Sequence, residues 1–454
     1  TAKSHPNRPA IVTPARSFSY AHLDGAVAHV ASGLREHGVE SRTPVAAHLD
    51  DDWRYPVLLW ALIRLGAPLV ALNRREPVAK LREQAERAGC TLCISDTPNP
   101  GICKTELSWD SLSIGVATDP TIDPPLLSLS DPATIVFTSG STGSAKGVLH
   151  TLGNHWFSAI GSQSVIPVDA GVGWLVALPF FHVGGLGILF RCFLHGGRVV
   201  LKDRLTVAGA IDMLNPTHVS LVPTQLLRLL DAGEAESISR LRCVLVGGAR
   251  VPSFLIERAR ESGIRIRTTY GLTEMASQVT TTREGASLAE LATSGCVLPF
   301  REVRLSADGV IEVRGRTLFA GYVDAGGLET PFDTDGWFTT GDVGRFDRNG
   351  RLTVLGRRDS MFISGGENVY PEEIEEAILN SGLVERAIVV PVEDREFGCR
   401  PVAFVSPLPD IEQLTNHLKS RIAGFKIPER FLELPPDCDG LKVDRARLSA
   451  LANR

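Results

Sequence analysis

Apolar positions at helical spacing alternate with short apolar or β-branched runs over roughly the first 250 residues. The segment "YAHLDGAVAHVASGLREHG" precedes "VAAHL", "PVLLWALIRLG" precedes "LVALN", and "PVAKLREQAERAG" precedes "CTLCISD". The same order returns at "VAGAIDMLNP" with "HVSLVPT", and at "RLRCVLVGGA", "PSFLIERARESG" and "RIRTTYG". Strands that alternate with helices predict parallel sheets covered on both faces. The pattern changes near residue 295. "GCVLPFREVRLSADGVIEVRGRTLFAGYV" and "GWFTTGDVGRFDRNGRLTVLGRRD" read as short strands with Gly turns, a small antiparallel barrel or sheet. Beyond about residue 360, two helix-like segments and several strands predict a small α+β domain joined through "GRRDSMFISGG".

Length and charge narrow the function. A chain of 454 residues is too long for one ordinary core. Lys plus Arg is 47 and Asp plus Glu is 52, a net charge of −5, which argues against non-specific nucleic-acid binding. The most apolar stretch, residues 55–73, is broken by Arg64, Gly66 and Pro68 and reads as a buried helix and a buried strand, so no transmembrane segment is expected. The opening "TAKSHPNRPAIV" has neither the basic nor the apolar part of a signal peptide. Of eight Cys, Cys90 and Cys93 form the only CxxC, with no second pair at zinc-ligand spacing. Structural thiols in a reducing cytoplasm are the expectation.

Four segments carry chemistry. In "FTSGSTGSAKGVLH", Gly140 and Gly143 let backbone N–H groups approach an anion, Ser139, Ser141 and Thr142 add hydroxyl donors, and Lys146 adds a point charge. Lys146 lies between Ala145 and Gly147, so this is not a Walker A loop; a polar surface turn is the plain alternative. In "TTYGLTEMAS", Tyr270 can stack on a base, Thr273 can donate to phosphate, and Glu274 supplies the acid that a phosphate-bridging Mg²⁺ requires, or else is an exposed Glu after a turn. In "GWFTTGDVGRF", Asp342 is a carboxylate able to accept both hydroxyls of a ribose, with Arg357 as companion donor; a turn cap is the alternative. Lys442, in "LPPDCDGLKVDRARL", follows a Gly just before a terminal helix and taken alone would face solvent.

In this order and spacing the four segments resemble the adenylate-forming superfamily of acyl-CoA synthetases, luciferases and peptide-synthetase adenylation domains, over essentially the whole chain. Ala145 replaces the usual Pro before the loop lysine. The resemblance implies an α/β fold: a large N-terminal domain of two doubly wound α/β subdomains plus a small β-barrel, then a small mobile α+β C-terminal domain. It implies a phosphate loop over Thr138, Ser139, Gly140, Ser141, Thr142, Gly143 and Lys146, and a Mg²⁺ and phosphate contact at Glu274 beside Thr273. By the same resemblance Gly247, Gly248, Ala249 and Tyr270 form the adenine pocket, Gly271 is a further cofactor-binding residue, and Asp342 with Arg357 forms the ribose clamp. Lys442 is then the adenylation lysine, and Asp359 a hinge dividing the chain into 1–358 and 359–454. Gly365 and Gly366 line a channel for coenzyme A. ATP, Mg²⁺ and coenzyme A are the implied cofactors.

The acyl pocket is sought in "ALPFFHVGGLGILFRCFLHGG" and "HVSLVPTQLLRLL". Arg191 lies in an apolar helical run, where an unpaired charge is expensive. It reads either as half of a structural salt bridge or as the partner of a second carboxylate on the substrate, which Arg suits bidentately. Ser220 could add a hydroxyl donor. His182 is placed at the pocket mouth, with a satisfied core His as the alternative, and Phe180, Val183 and Leu186 are assigned to a substrate ring.

The segments "LPFFHVGGLGILFR", "GLTEMAS", "EFGCRPVA" and "FLELPPDCDGLKVDRARL" sharpen the likeness: they resemble the o-succinylbenzoate–CoA ligase family of menaquinone biosynthesis. That implies o-succinylbenzoate, ATP and coenzyme A as small-molecule partners, with no nucleic acid, and leaves a homo-oligomer open. The alternative is another aryl- or short-chain acyl-CoA ligase of the same superfamily.

Overall fold

The computed structural model describes residues 2–97, 100–112, 127–139, 145–324, 327–364, 367–438 and 444–453. Two large sheets organise the first three quarters of the chain. The nine-stranded sheet runs from the strand Cys296–Val297 at one edge to Ser17–Ser19 at the other, and the eight-stranded sheet runs from Gly327–Glu329 to Thr105–Ser108. Their central strands are parallel: Val45–His48 pairs with Leu69–Ala71 and Leu92–Ser95, and His218–Leu221 pairs with Cys243–Val246. These strands are buried throughout, as parallel strands between helix layers must be.

The helix pattern in the sequence is matched closely: Tyr20–Glu36, Arg54–Leu65, Val78–Arg87, Val207–Leu214 and Ser253–Glu261 are helices. Ser19 caps the first by accepting from His22 N, and Gly66, in the left-handed region, ends the second. The broken apolar stretch is indeed a buried helix followed by a buried strand, and among the described residues no helix is long and apolar enough to cross a membrane.

The β-rich segment forms a four-stranded antiparallel sheet, Arg301–Leu305, Val310–Gly315, Phe338–Phe346 and Leu352–Arg357, tied to the nine-stranded sheet by a bridge between Cys296 and Arg351. After a short turn at Arg358–Ser360 the chain builds a separate five-stranded sheet with the helices Pro371–Leu379, Ile411–Lys419 and Arg445–Ala452. Its core of Phe362, Val369, Ile374, Val389, Val405 and Leu414 is its own. All eight cysteines are free thiols, and no metal cluster exists among the described residues.

Candidate active site

The phosphate-loop segment folds as a hairpin. Strands Pro132–Ser139 and Ala145–Thr151 pair antiparallel, with Thr138 opposite Lys146. Gly140, Ser141, Thr142 and Gly143 lie outside the described residues. Lys146 is exposed, and its Nζ stands 4.7 Å from the centroid of the Tyr322 ring. Tyr322, on a strand paired to the same hairpin, donates from its hydroxyl to Glu274 Oε1 at 2.8 Å. Loop cation, aromatic ring and acid therefore stand in one line, although Tyr322 and Glu274 are far apart in sequence.

Glu274 sits on the one-turn helix Thr273–Met275 that follows the strand Ile266–Leu272. Burial raises its carboxyl above the usual range, opposed by the Tyr322 hydrogen bond and the Arg357 charge. The backbone on either side is clamped. Phe319 N donates to the Glu274 carbonyl at 2.8 Å, and His150 Nε2 donates to the Thr273 carbonyl at 2.7 Å. A carbonyl only accepts, so His150 carries its proton on Nε2, and Nδ1 is left to accept from Thr134 Oγ1 at 3.2 Å. Thr134 in turn accepts from His155 Nε2 at 2.7 Å. Burial holds His150 at about 4, so this relay is neutral at physiological pH and works as a brace.

Asp342 and Arg357 face each other across two antiparallel strands, with Arg357 Nη1 donating to Asp342 Oδ1 at 3.0 Å. The other carboxylate oxygen accepts from the Tyr270 hydroxyl at 2.6 Å, which spends the polar end of Tyr270 on the acid. Gly271 forms a bulge against Ser277: a Cβ there would lie 2.1 Å from the Ser277 carbonyl oxygen. Gly247, just past the buried strand Cys243–Val246, lies so close to Thr269 that a Cβ would meet its Cγ2 at 2.5 Å; Gly248 and Ala249 follow it on the surface. These contacts bring together Tyr270, Gly271, Thr273, Glu274, Asp342 and Arg357, and place Gly247 against the same strand.

In the acyl segment the structure removes one alternative and places two of the ring-lining candidates in the core. His182 is exposed, leaning on Phe181 at the start of the helix Val183–His195, so it is no core histidine. Phe180 and Leu186 are fully buried in the main core, where Phe180 stacks on Tyr55 with centroids 5.0 Å apart. That packing commits the Phe180 ring to the core.

Arg191 is only 2% exposed, yet among the described residues no carboxylate pairs with it. Its Nη2 donates to Ser277 Oγ at 3.2 Å, its guanidinium lies 5.1 Å from the Trp174 ring centroid, and its Nε has no partner. Trp174 Nε1 in turn donates to Ser220 Oγ at 3.1 Å, so Arg191, Trp174 and Ser220 form one buried group. Burial lowers Arg191 to about 10, which leaves it charged at neutral pH. Read from the sequence, the small residues after Glu274, Ser277 among them, belong to the substrate ring rather than to Arg191, and Trp174 does not stand out, because "GWLV" looks like any buried strand.

Asp359 lies on the connecting turn, 3.9 Å from Arg357. Lys442, Gly365 and Gly366 lie outside the described residues. Just beyond Lys442, Arg445 anchors the last helix through Glu375 at 2.6 Å and the Val389 carbonyl. The small domain meets the large one through polar groups: Arg250 pairs with Glu376, and Phe254 N donates to Asn380 Oδ1 at 3.2 Å.

Comparison with known proteins gives the family. Residues 1–323 match the AMP-binding enzyme family and residues 373–437 the AMP-binding enzyme C-terminal domain. The 2-succinylbenzoate–CoA ligase of Escherichia coli K12 is 36% identical over 443 residues, covering 96% of this chain and 94% of its own. Among solved structures, o-succinylbenzoate CoA synthetase (MenE) from Bacillus subtilis in complex with the acyl-adenylate intermediate OSB-AMP superposes with a TM-score of 0.88 at 31% identity, covering 98% of this chain and 96% of that one. The same enzyme in complex with ATP and magnesium ion gives 0.85 at 32%, covering 95% and 94%.

Proposed function

Because the chain belongs to the AMP-binding enzyme family, among its 2-succinylbenzoate–CoA ligases, we propose that it joins o-succinylbenzoate to coenzyme A with ATP, releasing AMP and pyrophosphate. It is an AMP-forming acid–thiol ligase. In the first half-reaction a carboxylate oxygen of the substrate attacks the α-phosphorus, and the bond to pyrophosphate breaks. In the second, the sulfur of coenzyme A attacks the acyl carbonyl, and AMP leaves.

Bringing a carboxylate to a polyphosphate opposes two negative charges, worth about 4 kcal/mol per unit pair at contact and intermediate dielectric. Positive charge placed where negative charge develops is thus the main demand. Lys146 supplies it to the leaving phosphates. Glu274, a half-buried carboxylate that among the described residues takes a side-chain hydrogen bond from Tyr322 alone, suits a magnesium ion, which when bound would neutralise the phosphate oxygens. Asp342 holds the ribose while Arg357 and Tyr270 fix its rotamer, and the adenine lies beside Gly247, Gly248 and Ala249. Lys442 bridges the attacking carboxylate and the α-phosphate. The small domain, from Asp359 onward, then turns to withdraw Lys442 and present the glycines at 365 and 366 to pantetheine. Eight free thiols suit a reducing compartment, the cytoplasm.

The observation that carries the choice of acid is the buried Arg191, which has no carboxylate partner among the described residues. A charge that deep without a counter-ion is tolerated where a ligand brings one. The substrate's second carboxylate does so, with Ser277 and the Trp174–Ser220 pair fixing the guanidinium. Pyrophosphate exchange with o-succinylbenzoate against benzoate tests this. Arg191→Leu should cut kcat/KM for o-succinylbenzoate by about 10²–10³ while leaving any exchange with benzoate unchanged; unaltered use of the diacid would refute the assignment.

A further inference from the structure

Three arginines of the large domain are nearly inaccessible: Arg191, Arg267 and Arg301, at 2%, 5% and 5% exposed. Arg267 has a carboxylate, Glu284, at 3.0 Å. Among the described residues neither of the others has one. Arg301 Nη1 donates to the Pro299 carbonyl at 2.8 Å, and Nη2 reaches the Ser158 carbonyl at 3.3 Å and Ser158 Oγ at 3.4 Å; its Nε has no partner. Its place is built: a Cβ on Gly161 would stand 2.2 Å from Arg301 Nη1, so the helix Leu152–Gln163 is notched by that glycine to admit the guanidinium. Burial, and then the neighbouring Arg191 charge, push Arg301 down to about 9, which still leaves two like charges facing one region at neutral pH.

The two arginines are also connected mechanically. Ser158 Oγ, beside Arg301, donates to the Ala276 carbonyl at 3.0 Å. Ala276 and Ser277 both hold left-handed backbone, at φ 53° and 121°, a conformation non-glycine residues keep only when neighbours enforce it. Ser277 Oγ then receives Arg191 Nη2. The order of contact is Arg301, Ser158, the strained turn, Arg191.

We infer that Arg301 is a specificity-determining positioning residue: through Ser158 it holds the Ala276–Ser277 turn that aims Arg191, and it adds a second uncompensated positive charge to that region. A substrate with a second carboxylate is thereby favoured over one without. The inference rests on the reading of Arg191 given above.

The test compares kcat/KM for o-succinylbenzoate and for its analogue with the distal carboxylate converted to a primary amide, in wild type, Arg301→Gln, Arg301→Lys and Ser158→Ala. In Arg301→Gln the diacid-to-amide ratio should fall about tenfold or more, chiefly through KM for the diacid, and Arg301→Lys should regain part of it. Equal losses on both substrates would make Arg301 merely structural and overturn the inference. If Arg301→Gln does not fold, Ser158→Ala decides in the same way, a lowered ratio in favour and an unchanged ratio against. A wild-type enzyme that treats diacid and amide alike would already refute the Arg191 reading, and this inference with it.

Discussion

Glu274 works against the fold when nothing is bound beside it. Burial raises its carboxyl, so the folded chain holds that proton more tightly than the unfolded chain does. Below the unfolded value both states are neutral and no penalty exists; above the folded value the ionised group is disfavoured by its surroundings, and stability falls as pH rises between the two. Glu274→Gln should therefore raise the melting temperature of the nucleotide-free protein at pH 8 by about 2–4 °C, show no such gain near pH 4, and lose pyrophosphate exchange. Thermal scans at the two pH values check the sign. Glu274, Asp342 and Lys146 stand out in the sequence because each sits in a short polar and glycine-bearing segment. Tyr322 does not. It meets Glu274 only because its strand, in the eight-stranded sheet, and the strand before Glu274, in the nine-stranded sheet, come together in the fold, and in "LFAGYVD" it looks like an ordinary strand aromatic.

At the scale of elements, the alternation of helix and strand was readable almost throughout, because parallel strands buried on both faces must be continuous apolar runs and their covering helices must be amphipathic. Which strands would neighbour one another was not written in that pattern. The strand Pro9–Val12 pairs with Arg198–Leu201, a contact set by how the two halves of the large domain merge. Nor did the pattern announce the bulge at Gly271, where the strand before Glu274 turns onto Ser277. A methyl group there would strike backbone, which cannot rotate away. Gly271→Ala should cost about 3 kcal/mol in urea denaturation and weaken exchange with every acid alike, since it shifts Glu274 and the Arg191 turn together. Phe180 marks the opposite lesson: an apolar residue beside a pocket motif can belong to the core, and only its packing on Tyr55 decides.

For the whole molecule, polar pairs stand across the seam between the large domain and the last 90 or so residues, as the proposed re-docking of the small domain needs. Arg250 with Glu376 and Phe254 with Asn380 hold one arrangement without a shared apolar core. If that seam lets the domain turn, the two half-reactions separate. Lys442→Ala should lower acyl-adenylate formation by about 10²–10³ while thioester formation from supplied acyl-adenylate stays within about threefold, read by single-turnover product analysis. Equal loss of both would argue for a rigid chain.

The pair of guanidiniums without counter-ions has one more consequence, for how the protein ages. On the proposed reading, a bound diacid supplies the counter-charge that Arg191 and Arg301 lack among the described residues. The catalyst should therefore outlast itself when well fed: feedstock becomes a preservative, and scarcity leaves the resting protein the more perishable form.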